Sequence, residues 1–308
     1  MKRALVTTLV SIASLAFPVA LAWGQTLPQF GHVVLVLGEN HTYKQTYNST
    51  SMPYLTSLAN TYGLGTNYYS DTHPSIGNYL NLATGHILTN NDGETPKNFP
   101  VSDNNIALEV QQAGKTWKDY VENLPNVSGC KGLTAGTYYV RHDPLEYMTT
   151  INTETSNFVC FSQFAIDLAA GNLPNFSWLV PNGCDDAHDC SLATFDRWLK
   201  TEIPPLLKSS YFQPGGDGLL IIVIDENNST GFPNCSTLLT GQGCGGRVEL
   251  VVISPFGKLK YRSPGGDSAN YNKSYEEENI LRTIAQGLGL STANLGSATT
   301  ALPMSDFF

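Results

Sequence analysis

An α/β fold with a mostly parallel central sheet and helices on both faces is predicted by three observations. Two near-continuous apolar runs, His32–Gly38 and Gly218–Ile224, lack the alternation of a half-buried strand and suit strands covered on both sides. Each run delivers carboxylates at its carboxyl end, Glu39 after the first and Asp225-Glu226 after the second. Between and after them, strand-like runs alternate with helical patterns, the order that builds parallel sheets through crossover helices. At 308 residues the chain can bury one large core, and no linker-like stretch divides it, so residues 25–308 are read as a single domain.

In chain order, Lys2 and Arg3, the apolar run Ala4–Ala20 and the small residues Ala20 and Ala22 form the pattern of a secretory signal over residues 1–24. This predicts a secreted or periplasmic protein. The apolar run lies near the lower limit for spanning a bilayer and no stop-transfer pattern follows, so no stable membrane insertion is expected. The first strand presents Glu39-Asn40-His41 at the sheet edge where open α/β sheets bind ligands. Pro53, Leu55, Leu58 and Ala59 predict a helix from Ser51 that stops at Gly63 and Gly65. Thr72 through Gly85 then opens on Pro74, presents Ser75 and runs into an apolar helical pattern, so Ser75 stands where free N–H groups of a helix start point outward. Asp103 is the expected cap of a helix through Ala113, and Lys115–Tyr120 reads as a short strand. The Gly- and Tyr-rich stretch Pro125–Tyr147 is an excursion over the same edge of the sheet. Phe158–Ala170 reads as a helix ended by Gly171, and Phe176–Val180 as a strand closed by Pro181. A helix over Leu192–Leu207 should kink or end at Pro204-Pro205. Val248–Ile253 is a third buried strand. The last helix places Ile280, Leu281, Ile284 and Leu288 on one face behind a capping box of Ser274 and Glu277.

The formal charge is −9, and loss of Lys2 and Arg3 makes the mature chain more acidic. That excludes a broad basic face for nucleic acid but not a phosphorylated ligand, since a bound cation can reverse the local potential. The six cysteines survive removal of the signal and, in an exported chain, read as three disulfides. Proximity favours Cys184 with Cys190 and Cys235 with Cys244, leaving Cys130 with Cys160; other pairings stay open. No pair has the spacing of a zinc-thiolate site.

Glu39-Asn40 and Asp225-Glu226, brought to one edge by a parallel sheet, would repel one another unless a cation joins them. Oxygen ligands suit Mg²⁺, Ca²⁺ or Mn²⁺, and zinc is also compatible with nearby His and carboxylates. The third cluster, Pro181 to Cys190, carries His188 and Asp189. An imidazole there is of the right type to donate to a phosphate oxygen or protonate a leaving group. His73 and His41 are weaker candidates. Gly266-Asp267-Ser268, in a Gly/Ser loop, reads as a turn.

Taken together, Glu39-Asn40-His41, then Thr72-His73-Pro74-Ser75-x-x-Asn78-Tyr79-Leu80, Pro181-Asn182 through His188-Asp189, Asp225-Glu226, and Gly246-Arg247-Val248 before Val252-Ile253-Ser254-Pro255 resemble the phosphoesterase family of secreted acid phosphatases and phospholipases C. The resemblance spans about Phe30 to Leu290 and implies an alkaline-phosphatase-like fold. It implies Ser75 as nucleophile and His188 as a catalytic contact to phosphate. Asn78, with His73 and Asp189, falls to substrate binding, and Glu39, Asn40, Asp225 and Glu226 to one divalent metal ion. Related sequences often carry a histidine ahead of the last helix; Tyr271–Glu278 has none, so a single essential metal is expected. The short His73-Pro74-Ser75-x-x-Asn78-Tyr79 version is more similar to acid phosphatases, including those acting on phosphoinositides, than to phospholipases C. The expected substrate is a phosphorylated small molecule or lipid head group. A phospholipase C-type phosphodiesterase, and a non-catalytic phosphate- or glycan-binding protein of the same fold, are the alternatives. The stretch lacks the C/S-x-P-x-R pattern of sulfatases, and His73 replaces the first glycine of an esterase elbow.

Overall fold

The computed structural model describes residues 27–124, 130–151, 153–228, 244–265 and 274–308. The expected signal, Cys235, Tyr271 and Gly266-Asp267-Ser268 lie outside these. The chain runs β1 (His32–Gly38), α1 (Tyr43–Thr46), α2 (Pro53–Thr61), β2 (Gly63–Gly65), β3 (Tyr69–Ser70), α3 (Ser75–Thr84), α4 (Ile106–Gln112) and β4 (Trp117–Val121). It continues through β5 (Phe158–Cys160), α5 (Ser162–Ala170), β6 (Phe176–Val180), α6 (Leu192–Lys208), β7 (Gly218–Ile224), β8 (Gly246–Arg247), β9 (Leu250–Ile253), β10 (Arg262–Ser263) and α7 (Glu277–Gly287).

Eight strands form one sheet in the order β10-β2-β9-β7-β1-β6-β4-β5, and β3 pairs with β8 in a separate ribbon. β5, β4, β6, β1 and β7 are parallel, with β1 central between β6 and β7. β9 runs antiparallel to both β7 and β2. From its second residue β1 is buried throughout, as is all of β7. Since successive side chains point to opposite faces, both faces of the sheet are covered. α3, α4 and α7 pack on one another, and α2 packs on α6.

Several local expectations are corrected. Phe158–Cys160 is not helical; it forms edge strand β5 against β4, and the helix begins at Ser162. The third buried strand starts at Leu250, two residues later than expected, and runs antiparallel to its neighbours. α6 runs through both prolines, which sit half-buried and exposed while Ile203 and Leu206 face the core. The carbonyls they leave unpaired belong to Lys200 and Thr201, both exposed to water. α4 is capped by Asn105, whose side chain accepts from Leu108 N at 3.0 Å, while Asp103 is paired with His86. The capping box of α7 is Glu276 with Asn279, two residues later than Ser274 with Glu277. Glu277 is taken into the interior instead and is fully buried. Cys130–Cys160 and Cys184–Cys190 are bridged as expected. Among the described residues no helix is long and apolar enough to cross a membrane.

Candidate functional site

The parallel register of β1 and β7 sets Gly38 opposite Ile224, so Glu39 and Asp225 leave the sheet side by side. Asp225 N donates to Gly38 O at 2.9 Å. Asn40, in the left-handed region at φ 57°, turns its N–H back onto Asp225 Oδ1 at 3.0 Å. β6, on the other side of β1, delivers the Pro181–Cys190 loop, whose Asp186 O accepts Glu39 N at 2.8 Å.

α3 supplies Ser75 as its first residue, after a cis His73–Pro74 bond. Ser75 Oγ donates to Glu39 Oε2 at 3.1 Å, and Asp225 and Glu226 also lie in hydrogen-bonding reach of this side chain. Asn78, one turn on, folds back over the entry to the helix. Its Nδ2 donates to Thr72 O at 2.9 Å and to Glu226 Oε2 at 3.3 Å, and its Oδ1 accepts from Thr72 N at 3.0 Å. Its amide is thereby committed to holding the turn and Glu226. His73 Nδ1 meets the same Glu226 oxygen at 2.8 Å. His41 lies against its own backbone, 2.6 Å from Glu39 O.

Glu39, Asp225 and Glu226 are 0%, 1% and 4% exposed. Burial, then the charges of Asp225 and Asp186, lift the Glu39 carboxyl well above the usual range. Burial and Glu226 do the same to Asp225, and burial followed by Asp92 raises Glu226 to about 8. Asp225 Oδ2 is buried with no hydrogen-bond partner. His142 Nε2 lies 3.2 Å from Glu39 Oε1, while its Nδ1 meets Asp186 Oδ2 at 3.0 Å. Both ring nitrogens face carboxylate oxygens and a neutral imidazole carries one hydrogen, so one of the two contacts sets a nitrogen lone pair against a carboxylate oxygen. Such a contact needs a proton or a cation. Oxygen donors beside one imidazole, with an orphaned buried carboxylate oxygen among them, are a donor set that suits a divalent ion.

These directions set a stability prediction. A carboxyl whose folded pKa lies above its unfolded value binds its proton more tightly when folded, so its contribution to stability falls as pH rises between the two values. With chelator present, Tm is expected to fall from about pH 5 to about pH 8, the window of Glu226 between its ordinary 4.5 and about 8. A saturating divalent ion should flatten that slope. Thermal unfolding across pH checks it, and a Tm that climbs through the window in chelator contradicts it.

The second half of the site comes from the Pro181–Cys190 loop and from Tyr139–His142. His188 Nδ1 meets Asp189 Oδ1 at 2.8 Å and its Nε2 meets Arg141 Nη2 at 3.0 Å. Because a guanidinium can only donate and a carboxylate only accept, His188 is in the Nδ1–H tautomer with its Nε2 lone pair on Arg141. Asp189 also accepts from the Tyr139 hydroxyl at 2.9 Å; although burial pulls the other way, these two bonds hold its carboxyl below the ordinary range. Asp189 therefore orients His188. Ligand atoms of Glu39, His142 and His188 come within 4.8 Å of one another, so the loop histidine does reach the Ser75 side of the site.

Sequence reasoning missed His142, Arg141, Asp186 and Asp92. His142 and Arg141 sit in the excursion before Tyr147, where no periodicity ranks one residue above another. His142 is buried, stacked on Tyr79 at 5.2 Å, and burial holds it well below the ordinary imidazole range. Asp92 belongs to a polar loop that reads as an ordinary turn. Its Oδ1 accepts from Ile76 N at 3.2 Å and its Oδ2 lies 3.7 Å from Arg141 Nε. Gly77 permits this approach, because a Cβ there would stand 3.2 Å from Thr89 O and collide with the Asn90 side chain.

A family model described as the Phosphoesterase family matches residues 38–291. A phosphatidylinositol-3-phosphatase of Mycobacterium tuberculosis is 30% identical over 287 residues, covering 92% of this chain and 84% of its own length. A probable acid phosphatase of Kluyveromyces lactis is 28% identical over 281 residues, and the match covers 86% of this chain and 65% of that protein. The solved structure of a protein in the alkaline phosphatase superfamily from Vibrio parahaemolyticus superposes with a TM-score of 0.56 at 12% identity, covering 92% of this chain and 73% of that one, a likeness of fold.

Proposed function

The chain belongs to the Phosphoesterase family and is a phosphoric ester hydrolase, and from that premise we propose a secreted, metal-dependent phosphomonoesterase of the acid phosphatase type that works through a phosphoserine at Ser75. The observation that carries the reading is the position of Ser75 Oγ, at the first residue of a helix and 3.1 Å from Glu39 Oε2 within a buried group of carboxylates. A divalent cation held by Glu39, Asn40, Asp225 and Glu226 would lower the pKa of the Ser75 hydroxyl and offset charge on the phosphoryl group.

The chain's own residues do the rest. Glu39 accepts the hydrogen bond of the Ser75 hydroxyl, orients it and can take its proton. Attack by Oγ on phosphorus forms the Ser75–phosphate bond as the ester oxygen leaves. Arg141 and the N–H groups at the start of α3 face the developing negative charge on the phosphoryl oxygens. Once Arg141 turns to phosphate, the His188 Nε2 lone pair is released to take a proton from solvent; Nε2 then gives that proton to the leaving oxygen in the first step and takes one from the attacking water in the second. Asp189 holds the ring in place throughout. The two bridged cysteines flanking this loop keep His188 and Asp189 in register.

Asp92 sits where an entering phosphoryl group would need room, on the Ile76 N–H and near Arg141. Asp92→Asn removes a competing anion, and KM and the inhibition constant of inorganic phosphate should each fall by about tenfold or more, the low end of the scale of one charge-assisted hydrogen bond, with kcat little changed. Steady-state kinetics with phosphate as inhibitor checks this. A rise in KM would instead make Asp92 a group that places Arg141 for binding.

The first test of the function is hydrolysis of p-nitrophenyl phosphate across pH, before and after chelation and after adding back single divalent ions. Activity that disappears with chelator and returns with an ion supports the proposal. The name of the Mycobacterium relative puts phosphatidylinositol 3-phosphate on the same panel, beside inositol phosphates and phosphatidylcholine. Hydrolysis confined to phosphatidylcholine would favour the phospholipase C reading. Phosphate binding by metal-loaded protein with no turnover of any of these esters would favour a binding protein.

A further inference from the structure

A second knot of oxygen atoms lies where β3, α3 and α7 meet. Asp71, just past β3, is 1% exposed, and Glu277, the first residue of α7, is fully buried between Glu276 and Glu278. Glu277 Oε2 accepts the Asp71 N–H at 2.9 Å, and Asn81 Nδ2 of α3 donates to Asp71 Oδ2 at 2.6 Å. Ligand oxygens of Asp71, Glu276 and Glu278 come within 4.8 Å of one another. Among the described residues no ion pair reaches any of these four carboxylates.

The acidic side chains are not the whole observation. The Asn81 amide carbonyl, on a side chain 3% exposed, is buried with no hydrogen-bond partner although its own nitrogen is on Asp71. The Tyr68 hydroxyl is also buried and unpartnered, and the charges nearest to it are those of Glu277, Asp71, Glu278 and Glu276. Asp71 Oδ1 and Glu277 Oε1 are likewise buried with no hydrogen-bond donor. Buried acceptors are nearly always satisfied, and what these lack is positive charge. The same deficit shows in the carboxyls: burial, then neighbouring carboxylates, lifts Asp71 well above the usual range and Glu276 to about 8.

We propose that Asp71, Glu276, Glu277 and Glu278, with the Asn81 carbonyl, bind a divalent cation at a site separate from the Ser75 centre. An all-oxygen, carboxylate-rich set with no nitrogen or sulfur donor fits Ca²⁺, which takes several protein oxygens, better than Mg²⁺, which keeps its waters, or Zn²⁺. The ion would fasten the start of α7 to Asp71, four residues ahead of Ser75 in the segment that Asn78 already braces. Its role is to hold that entry to α3 in place, and it stands whether or not the ion at Ser75 is confirmed.

The test is calcium stoichiometry on the mature protein by equilibrium dialysis after chelation, with Tm measured with and without Ca²⁺. One equivalent should persist in Asp225→Asn, which disables the Ser75 centre, and should be lost when Asp71→Asn and Glu278→Gln are added to it. Ca²⁺ at about a hundredfold excess over its Kd should raise Tm by about 5 °C in the Asp225→Asn protein. Asp71→Asn removes a buried charge and so should leave the metal-free protein at least as stable, which separates loss of the site from loss of the fold. The proposal is overturned if Asp225→Asn alone abolishes all calcium binding, or if the Tm rise survives in the triple variant. It is equally overturned if the four carboxyls share protons and take up no cation up to pH 8.

Discussion

Replacement of Ser75 with Ala is expected to lower kcat for p-nitrophenyl phosphate by at least about 10³-fold, the scale on which loss of an attacking nucleophile acts. The fold should survive it. Ser75 is the first residue of α3, its Oγ contributes a bond to Glu39 rather than a helix cap, and the neighbouring brace through Asn78 and Thr72 is left intact. Tm is therefore expected to stay within about 2 °C although Ser75 is buried, because only one hydroxyl is removed and Glu39 Oε2 keeps the Asn40 Nδ2 donor. Divalent ion binding should also persist, because Glu39, Asp225 and Glu226 remain. Stopping the wild-type reaction in acid and mapping the phosphorylated peptide should locate phosphate on Ser75. Full activity in Ser75→Ala, or a trapped phosphate on another residue, would end the nucleophile assignment. An intact fold with metal bound and turnover gone separates a chemical role for Ser75 from a structural one.

The parts of this arrangement that could be read from the chain are those written in local pattern. Two apolar runs, each ending in carboxylates, predicted both the central strands and their shared edge, because burial on both faces leaves no alternation and a parallel register aligns the carboxyl ends. Pro74 ahead of an apolar 3.6-residue period placed Ser75 at a helix start for the same kind of reason. Where the reading slipped, tertiary contacts outweighed local preference. Phe158–Cys160 has helical spacing but finds an open edge on β4, and Pro204-Pro205 survive inside α6 because the carbonyls they orphan face water. Glu277 looked like a capping partner; the carboxylate is drawn inward by the Asp71 N–H, and Glu276 caps instead. His142 and Arg141 carried no signal at all, since their importance lies in contacts to Glu39, Asp186 and His188 that are distant in sequence.

Asp225→Asn tests the metal assignment with the least disturbance to the fold, and its expected effect rivals that of Ser75→Ala. Asp225 Oδ1 accepts the Asn40 N–H at 3.0 Å, a bond an amide oxygen can keep. Oδ2 has no partner, so an amide nitrogen in its place can donate toward Glu39, which already lies within hydrogen-bonding reach. The substitution thus removes one charge from a crowded, buried group without opening a cavity. In chelator the variant is expected to be as stable as the parent or more so, because burial and the Glu226 charge act against ionised Asp225. Its affinity for the ion at Ser75 should fall by at least about 100-fold, more than the loss of an outer hydrogen-bonding partner, and activity should fall with it. Metal content by elemental analysis, Tm with and without ion, and turnover at a matched ion concentration are the readouts. Their pattern decides the role: a raised or unchanged metal-free Tm with no activity assigns Asp225 to the ion, whereas a lowered metal-free Tm assigns it to the β1–β7 edge. Metal-dependent turnover within about tenfold of the parent would show that Glu39 and Glu226 hold the ion without it.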